Sequence, residues 1–241
     1  MQNPKKSLGQ NFLIDQNISN KIIEQTNIKN ENIVEIGPGY GSLTDIIISK
    51  KPKNLTLIEK DFEIFNFLKK KYKHIKIIKI INADVLSYDF SNFKEIKIIS
   101  NIPYNISTKI ILKLFFYQKN IKTLIFMIQK ELAIKFDYTK KKMNKYKFIN
   151  KICADYKILF DVSNKVFYPK PKVDSKVVEF KLRKHDLDQK RILSFINKIF
   201  LNKRKIIKNK FNKKLYINDK ILNKRVEDLE FNELLEIYKF F

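Results

Sequence analysis

The amino-acid sequence predicts an α/β fold with a mainly parallel sheet, followed by a small helical domain. Short apolar runs alternate with segments of helical periodicity through the first half of the chain, a pattern typical of right-handed βαβ units. The first apolar run, residues 33–36, ends at a cluster of glycines. After His185 the apolar residues follow a helical period and no convincing strand appears, so we place a domain boundary at 186/187.

The apolar runs predict strands at 33–36, 55–58, 75–81, 96–99, 121–128, 157–162 and 176–182. In the last run, Val178, Phe180 and Leu182 alternate with charged residues, which is the period of a half-buried strand. Helices are predicted at 16–26, 42–50, 61–72 and 109–117, and residues 129–156 read as mainly helical. Asp15 is the expected N-cap of the first helix.

The composition is that of a basic globular chain. Its 241 residues include 50 Lys and Arg against 25 Asp and Glu, a formal charge of +25 that attracts nucleic acid. The single cysteine, Cys153, excludes a disulfide framework and a multi-cysteine metal site, and its helical spacing predicts a core position. No apolar run approaches the roughly 18 residues of a membrane span, so we expect a cytoplasmic protein without a membrane partner.

Polar residues at the ends of the first three strands indicate a nucleoside site. Gly37, Gly39 and Gly41 form a Gly-x-Gly-x-Gly turn, where the backbone can approach a ligand closely. Glu59 ends the second strand, where it can accept from both ribose hydroxyls, and Asp84 follows the third, where it can accept from an adenine amino group. The third glycine comes one residue too early for a dinucleotide motif, so S-adenosylmethionine fits better. Each carboxylate could instead cap the following helix.

The fourth strand ends in Asn101-Ile102-Pro103-Tyr104, which suits methylation of an exocyclic amine. Pro103 fixes its own φ and favours an extended Ile102, so the loop is stiff. Asn101 and a backbone carbonyl can accept from the amine, which localises its lone pair, and Tyr104 can stack on an extruded base. A turn with a buried tyrosine is the alternative. Phe167, before two prolines, is a second candidate for stacking, with a core position as its alternative.

Four segments resemble the small-subunit ribosomal RNA adenine N6-dimethyltransferases of the KsgA type. They are residues 6–13 (Lys-Ser-Leu-Gly-Gln-Asn-Phe-Leu), 35–41 (Glu-Ile-Gly-Pro-Gly-Tyr-Gly), 101–108 (Asn-Ile-Pro-Tyr-Asn-Ile-Ser-Thr) and 167–175 (Phe-Tyr-Pro-Lys-Pro-Lys-Val-Asp-Ser). The resemblance implies a Rossmann-like class I methyltransferase domain with a seven-stranded sheet at 1–186 and an all-helical RNA-binding domain at 187–241. It also implies dimethylation of two adjacent adenosines near the 3′ end of 16S ribosomal RNA. We expect a monomer that acts on the 30S pre-subunit.

By matching position, the resemblance puts the cofactor contacts on Asn11, Leu13, Gly37, Glu59, Asp84 and Asn101, to which the glycine turn adds Gly39. It puts the contacts to the target base on Asn101, Pro103, Tyr104 and Phe167. The family usually has a tyrosine, a small residue and Leu-Ser around 146–150, whereas this chain has Lys147 and Asn150. The role of that segment in the site is therefore open.

Basic charge is concentrated at the start of the predicted helical domain. Residues 188–225 carry 13 Lys and Arg against two acids, whereas 226–241 carry five acids against one lysine. We predict that the phosphates of RNA are bound by Lys203, Arg204, Lys205 and Lys208. Two other functions remain open: a methylase of the erythromycin-resistance type that modifies large-subunit RNA, and a ribosome assembly factor that kept the fold without catalysis.

Overall fold

The structure, a computed structural model, describes residues 4–5, 9–139, 142–202, 204–211 and 217–241. Within these ranges the strands are β1 (Phe12–Leu13), β2 (Asn32–Ile36), β3 (Asn54–Glu59), β4 (Ile78–Asn82), β5 (Ile96–Asn101), β6 (Ile121–Gln129), β7 (Ala154–Val162), β8 (Phe167–Tyr168) and β9 (Ser175–Leu182). The α-helices are α1 (Gln16–Ile23), α2 (Thr44–Ser49), α3 (Phe62–Lys71), α4 (Ser107–Leu114), α5 (Lys130–Phe136), α6 (Lys145–Cys153), α7 (Gln189–Phe200), α8 (Asp219–Leu222) and α9 (Phe231–Lys239). No helix in the described ranges is both long enough and apolar enough to span a lipid bilayer.

Seven strands form one sheet in the order β4-β3-β2-β5-β6-β9-β7. The strands from β4 to β6 are parallel to their neighbours, and β9 runs antiparallel to β6. The prediction of a seven-stranded, mainly parallel sheet is confirmed. The chain adds β3 and β4 on one side of β2 and then places β5 and β6 on the other side. The carboxyl ends of β2 and β5 therefore flank the point where the strand order reverses, which is where open α/β sheets bind ligands.

Burial explains why these segments become strands and helices. Ile33 and Val34 of β2 and Leu55 and Leu57 of β3 are fully buried, as expected for strands covered on both faces. The predicted N-cap of α1 is confirmed, because the Asp15 carboxylate accepts from the backbone N–H of Ile18 at 2.9 Å.

A second, two-stranded sheet was not predicted from the sequence. Strands β1 and β8 pair antiparallel, with Phe12 opposite Tyr168 and Leu13 opposite Phe167. Each has only two residues, too few to show a period of two in the sequence. The pairing fastens the N-terminal segment to the loop before β9.

The chain divides into two compact units, residues 1–134 with 157–182 and residues 135–156 with 183–241. The last passage of the chain from the first unit to the second, after Leu182, lies close to the predicted boundary at 186/187. The second unit, however, also takes in residues 135–156. Phe148 of α6 explains this difference, because its ring lies 5.7 Å from the rings of Phe195 in α7 and Phe231 in α9. Cys153 at the end of α6 is fully buried, as predicted, and burial raises the pKa of its thiol to about 12.

We expect Phe148→Ala to lower the free energy of unfolding of the helical unit by about 3–5 kcal/mol, because it leaves a large cavity between three helices. Native-state hydrogen exchange should show faster exchange in α7 and α9. Leu201→Ala, at a position 66% exposed in the same unit, should change the free energy by less than about 0.5 kcal/mol. Unchanged exchange in α7 and α9 would show that α6 does not belong to this unit.

Candidate active site

A pocket of about 230 Å³ lies at the carboxyl ends of β2, β3, β4 and β5, within the first unit. It is lined by all seven residues predicted to contact the cofactor: Asn11, Leu13, Gly37, Gly39, Glu59, Asp84 and Asn101. Pro103 and Tyr104 of the predicted target loop line the same pocket. Residues from five separate segments of the sequence are therefore brought to one edge of the sheet.

The glycine turn after β2 needs glycine for backbone angle and for space. Gly39 has a φ of +56°, and a Cβ there would lie 3.0 Å from the ring of Phe12. Gly41 has a φ of +93°, and a Cβ there would collide with the hydroxyl of Tyr72. Both positions combine a left-handed backbone with a close neighbour, so a larger residue would strain the turn. The turn can stay close to a ligand at its glycines, because these positions carry no side chains.

Glu59 at the end of β3 is a buried carboxylate. Its side chain is 7% exposed and accepts from the backbone N–H of Asp61 at 2.8 Å. Burial raises the pKa of Glu59 to about 7, although backbone N–H groups including that of Asp61 oppose the shift. The N-cap of α3 is Asp61 rather than Glu59. One oxygen of Glu59 therefore supports the local turn, and the carboxylate still lines the pocket.

Asp84, after β4, is more exposed than Glu59 and ionises more readily. Its carboxylate accepts from the Lys60 ammonium group at 2.9 Å and from the backbone N–H of Leu86 at 2.8 Å. The hydrogen bond from Lys60 is the main cause that lowers the pKa of Asp84. The bond from Leu86 matches the capping interpretation in part, because Asp84 does support the turn after it, and the same side chain borders the pocket.

A buried acid that the sequence analysis did not single out also lines the pocket. Glu35, the residue before Ile36 in β2, is 2% exposed and accepts from the hydroxyl of Thr44 at 2.6 Å. Burial raises the pKa of Glu35 to about 8. The signal was present in the sequence, since a single acid interrupts the apolar run 33–36 just before the glycine turn.

Residues 9–13, here called the strap, form one wall of the pocket. The backbone carbonyl of Asn11 accepts from the Asn101 side-chain amide at 2.8 Å, and the carbonyl of Leu13 accepts from the Ser42 hydroxyl at 2.6 Å. The side chain of Leu13 is itself buried in the core. Asn11 and Leu13, the two strap residues implied by the resemblance, therefore both lie at the pocket. Asn11 contributes its carbonyl, and Leu13 lies at the base of the wall.

The target loop is fixed by hydrogen bonds at three points. The Asn101 amide nitrogen is engaged by the strap, so the amide oxygen is its remaining polar atom. The carbonyl of Pro103 accepts from the Ser107 hydroxyl at 2.9 Å, at the start of α4. The Tyr104 hydroxyl lies 2.6 Å from the hydroxyl of Ser175 in β9. Burial raises the pKa of Tyr104, so the phenol stays protonated at neutral pH.

Of the two alternatives for Phe167, stacking on the base from an exposed position or packing in the core, the structure shows the core position. Phe167 is 3% exposed and packs in the core, and the neighbouring Tyr168 is the exposed residue. The pairing of β1 with β8 explains this, because Phe167 lies opposite Leu13 on the buried face of the two-stranded sheet. Its ring meets that of Tyr104 edge-on at 6.5 Å. Phe167 therefore supports the ring of Tyr104 from behind, and a direct contact with the base stays a prediction.

The remaining predicted residues belong to the second unit. Lys203 lies outside the described residues, whereas Arg204, Lys205 and Lys208 are exposed.

Lys147 and Asn150, the two departures from the family pattern, have structural roles here. The ammonium group of the buried Lys147 donates to the carbonyl of Lys142 at 2.7 Å, and the Asn150 amide donates to the carbonyl of Phe136 at 2.9 Å.

Solved structures of known proteins share this architecture. A dimethyladenosine transferase from Plasmodium falciparum superposes with a TM-score of 0.75 at 22% identity, covering 94% of this chain and 95% of that one. The 23S ribosomal RNA methyltransferase ErmE gives a TM-score of 0.72 at 20% identity, covering 95% of this chain and 98% of that one. The strand order, the pocket at the strand ends and these likenesses define the fold as that of the class I methyltransferases.

The family follows from sequence similarity along the whole chain. The family model for ribosomal RNA adenine dimethylase matches residues 1–241. A protein of Malacoplasma penetrans named ribosomal RNA small subunit methyltransferase A is 45% identical over 213 residues, which are 85% of this chain and 76% of that protein. The chain belongs to the ribosomal RNA adenine dimethylase family, as the resemblance of its motifs predicted.

The raised pKa of Glu59 predicts a pH dependence of stability. The unfolded carboxyl loses its proton near pH 4.5 and the folded one near pH 7, so between these values the folded state holds the extra proton. The stability that the protonated Glu59 gives to the folded state is therefore fully present below about pH 4.5 and is lost as the pH rises through 7. The Glu59→Gln variant has no such proton to lose. We expect its free energy of unfolding, measured with urea, to rise relative to that of wild type by up to about 3 kcal/mol as the pH increases from 4.5 to 8. The exposed Glu24→Gln should show no such gain.

Proposed function

We propose that this protein transfers methyl groups from S-adenosylmethionine to the N6 atoms of two adjacent adenosines near the 3′ end of small-subunit (16S) ribosomal RNA, dimethylating each. The observation that carries the proposal is that Glu59, Asp84 and Asn101 line one pocket, with the Asn101 amide held in a single orientation. The name of the Malacoplasma penetrans relative supports the small subunit as the substrate.

The pocket fits an adenosine without phosphates. Glu59 would accept from the ribose hydroxyls, and such hydrogen bonds are made to its ionised form, so binding draws the Glu59 equilibrium toward the carboxylate. Asp84, whose pKa is lowered by Lys60, would accept from the adenine amino group. The bare backbone of Gly37 and Gly39 leaves room for the ligand between these acids. S-Adenosylmethionine, when bound, supplies an electrophilic methyl group.

The target amine would be oriented by the loop after β5. The side-chain amide nitrogen of Asn101 already donates a hydrogen bond to the carbonyl of Asn11. The amide oxygen of Asn101 therefore accepts one N6 hydrogen. The carbonyl of Pro103 is taken by Ser107, so the Ile102 carbonyl is the second acceptor. Two acceptors in the plane of the amine hold it away from conjugation with the base and turn its lone pair toward the methyl donor. The ring of Tyr104 stacks on the extruded base.

Proton transfer does not require a general base in this scheme. Methylation leaves a positive charge on N6, and an adenine amine in that state is acidic enough to release its proton to water. Tyr104 stays a phenol because burial raises its pKa, so it acts by stacking and by its bond to Ser175. After the first transfer one N6 hydrogen remains, which one of the two acceptors can still hold for the second transfer.

The partners follow from the substrate and the charge. We propose that the chain acts as a monomer on the 30S pre-subunit in the cytoplasm, since a net charge of +25 favours association with a large polyanion. Domain 1–186 would bind the cofactor and the target base, and domain 187–241 would bind RNA through its basic residues.

The competing candidate is methylation of large-subunit RNA, because ErmE shares the fold. Both activities are tested by incubating unmodified small and large subunits separately with methyl-labelled S-adenosylmethionine and mapping the labelled bases. We expect label on two adjacent adenosines of the small subunit. Label confined to the large subunit would support the competing candidate, and no label on either subunit would support a non-catalytic assembly factor.

We expect Asn101→Ala to lower kcat for methyl transfer by at least about a hundredfold, because positioning two reactants contributes about 7–11 kcal/mol and this residue holds the amine. Calorimetry should find the S-adenosylmethionine affinity within about tenfold of wild type, since most of the predicted contacts come from β2, β3 and β4. Near-normal turnover in this variant would remove Asn101 from the mechanism.

The basic residues of the second unit give a separate prediction. Within the described residues, Arg204, Lys205 and Lys208 form no ion pair with an acid, so their charges are available to phosphates. We expect replacement of all three by Gln to weaken binding to small subunits and to flatten the log–log salt slope by about two to three. S-Adenosylmethionine affinity should not change, because its pocket is formed by the first unit.

A matched triple variant controls for the loss of net charge. Lys50, Lys53 and Lys76 are exposed, and the last two lie just before β3 and β4, at the edge of the sheet opposite the pocket. Replacing these three by Gln should leave the salt slope within about one unit of wild type. Equal slopes in the two triple variants would mean that RNA responds only to overall charge.

A further inference from the structure

We propose that four aromatic side chains beside the pocket form a stacking surface for unpaired nucleotides that flank the target adenosine. The aromatic row consists of Phe67 in α3, Tyr40 in the glycine turn, Phe12 in β1 and Tyr168 in β8. The proposal rests on the proposed function for the identity of the target, but it concerns a different surface, which holds the RNA strand rather than the reacting base.

The row is continuous from α3 to the wall of the pocket. The ring centroids of Phe67 and Tyr40 lie 5.2 Å apart, and those of Tyr40 and Phe12 lie 4.9 Å apart. Phe12 lies opposite Tyr168 in the two-stranded sheet, so the two side chains leave the same face of that sheet. Phe12 and Tyr40 line the pocket, and Asn11 beside Phe12 holds Asn101. A strand lying on the row would therefore pass directly by the target loop.

Exposure identifies the two ends of the row as the binding positions. Phe67 is 41% exposed and Tyr168 is 51% exposed, whereas Phe12 and Tyr40 are half-buried. Phe12 also packs against the apolar core. The inner rings are thus fixed by packing, and the outer rings keep faces open to solvent. An exposed aromatic ring next to a fixed one is a suitable platform for a flat base.

Positive charge lies at both ends of the row. Lys69 and Lys70 follow Phe67 in α3, and Lys73 comes just after that helix. Lys170 and Lys172 follow Tyr168, and all five lysines are exposed. In the part of the chain that the structure describes, none of these five forms an ion pair. The acids near the Phe67 end are paired instead: Asp45 with Lys71 at 2.6 Å, and Asp61 and Glu63 with Lys5 at 3.0 Å. At the Tyr168 end the exposed Asp174 offsets only one of the two lysines. The charge left at each end is positive.

Rings between two groups of lysines fit a single strand of RNA. Its bases have flat faces that stack on aromatic side chains, and its phosphates are attracted to lysine. Bases in a duplex are already stacked on each other, so the partner is unpaired RNA. A purely apolar protein segment would gain nothing from the lysines at the two ends. Phe67 and Tyr168 stack on nucleotides at the two ends of the row, and Lys70 and Lys170 attract their phosphates.

The test measures binding of a fluorescein-labelled, unstructured 12-nucleotide RNA with two central adenosines, by anisotropy without cofactor. We expect Phe67→Ala and Tyr168→Ala each to weaken binding by about five- to a hundredfold, the usual range for loss of one base–aromatic stack. Phe67→Leu should lose nearly as much, because it keeps apolar area without a flat ring, and Tyr168→Phe should keep wild-type affinity. S-Adenosylmethionine affinity should not change in these variants, because neither residue lines the pocket.

Phe62→Ala is the matched control. Phe62 lies on the same helix and is more exposed than Phe67, at 63%, but its ring contacts Phe65 rather than the row. If RNA only adhered to exposed apolar surface, Phe62→Ala would lose more RNA affinity than Phe67→Ala. If RNA stacks on the aromatic row, Phe62→Ala should lose less. A larger loss for Phe62→Ala would overturn the proposal, as would equal losses for a duplex of the same sequence.

The outcomes separate this inference from the proposed function. If the variants of the aromatic row bind the RNA like wild type while wild type dimethylates small subunits, the stacking proposal is wrong and the proposed function stands. If the row variants lose affinity while wild type methylates no small subunit, the row binds the RNA of another substrate. If they lose affinity for small subunits but not for the 12-nucleotide RNA, the row contacts a ribosomal protein and the inference is overturned.

Discussion

At the centre of the sheet, β2 has β3 on one side and β5 on the other, so the chain leaves β2 in one direction and later returns to its opposite edge. This reversal opens a crevice at the carboxyl ends of the strands, which no connection crosses. The glycine turn follows β2, Glu59 ends β3, Asp84 follows β4 and Asn101 ends β5. Residues far apart in sequence become neighbours because parallel strands end at the same edge.

The strap closes one side of this crevice and so makes it a pocket. It contacts both the glycine turn and the loop after β5. It borders the glycine turn through Phe12 and Gly39, and it holds the Asn101 amide through the carbonyl of Asn11. The regions proposed for the cofactor and for the target base therefore share one wall. A shift of the strap would alter both at once, which links binding of one reactant to placement of the other.

Much of the fold could be predicted because its signals are local in the sequence. Strands buried on both faces give continuous apolar runs, and the acids that end them stand out against those runs. Burial of Phe167 could not be predicted in this way, since it depends on β1 and β8, two strands of two residues that meet across 150 residues of chain. The place of α6 in the second unit depends on which aromatic rings Phe148 meets, and no periodicity encodes that.

The two ends of the strap are held by different forces. Near Phe12 and Leu13 it is paired with β8 through backbone hydrogen bonds, whereas at its start the Gln10 amide donates to Asp61 at 3.2 Å. Lys5, which lies before the strap, forms an ion pair with the same Asp61 at 3.0 Å. Asp61, which accepts both contacts, is itself buried and is the N-cap of α3. The strap therefore joins the two-stranded sheet at one end to the N-terminus of α3 at the other. Because Asn11 lies between these two anchors, its carbonyl and the Asn101 amide that it holds are fixed from both sides.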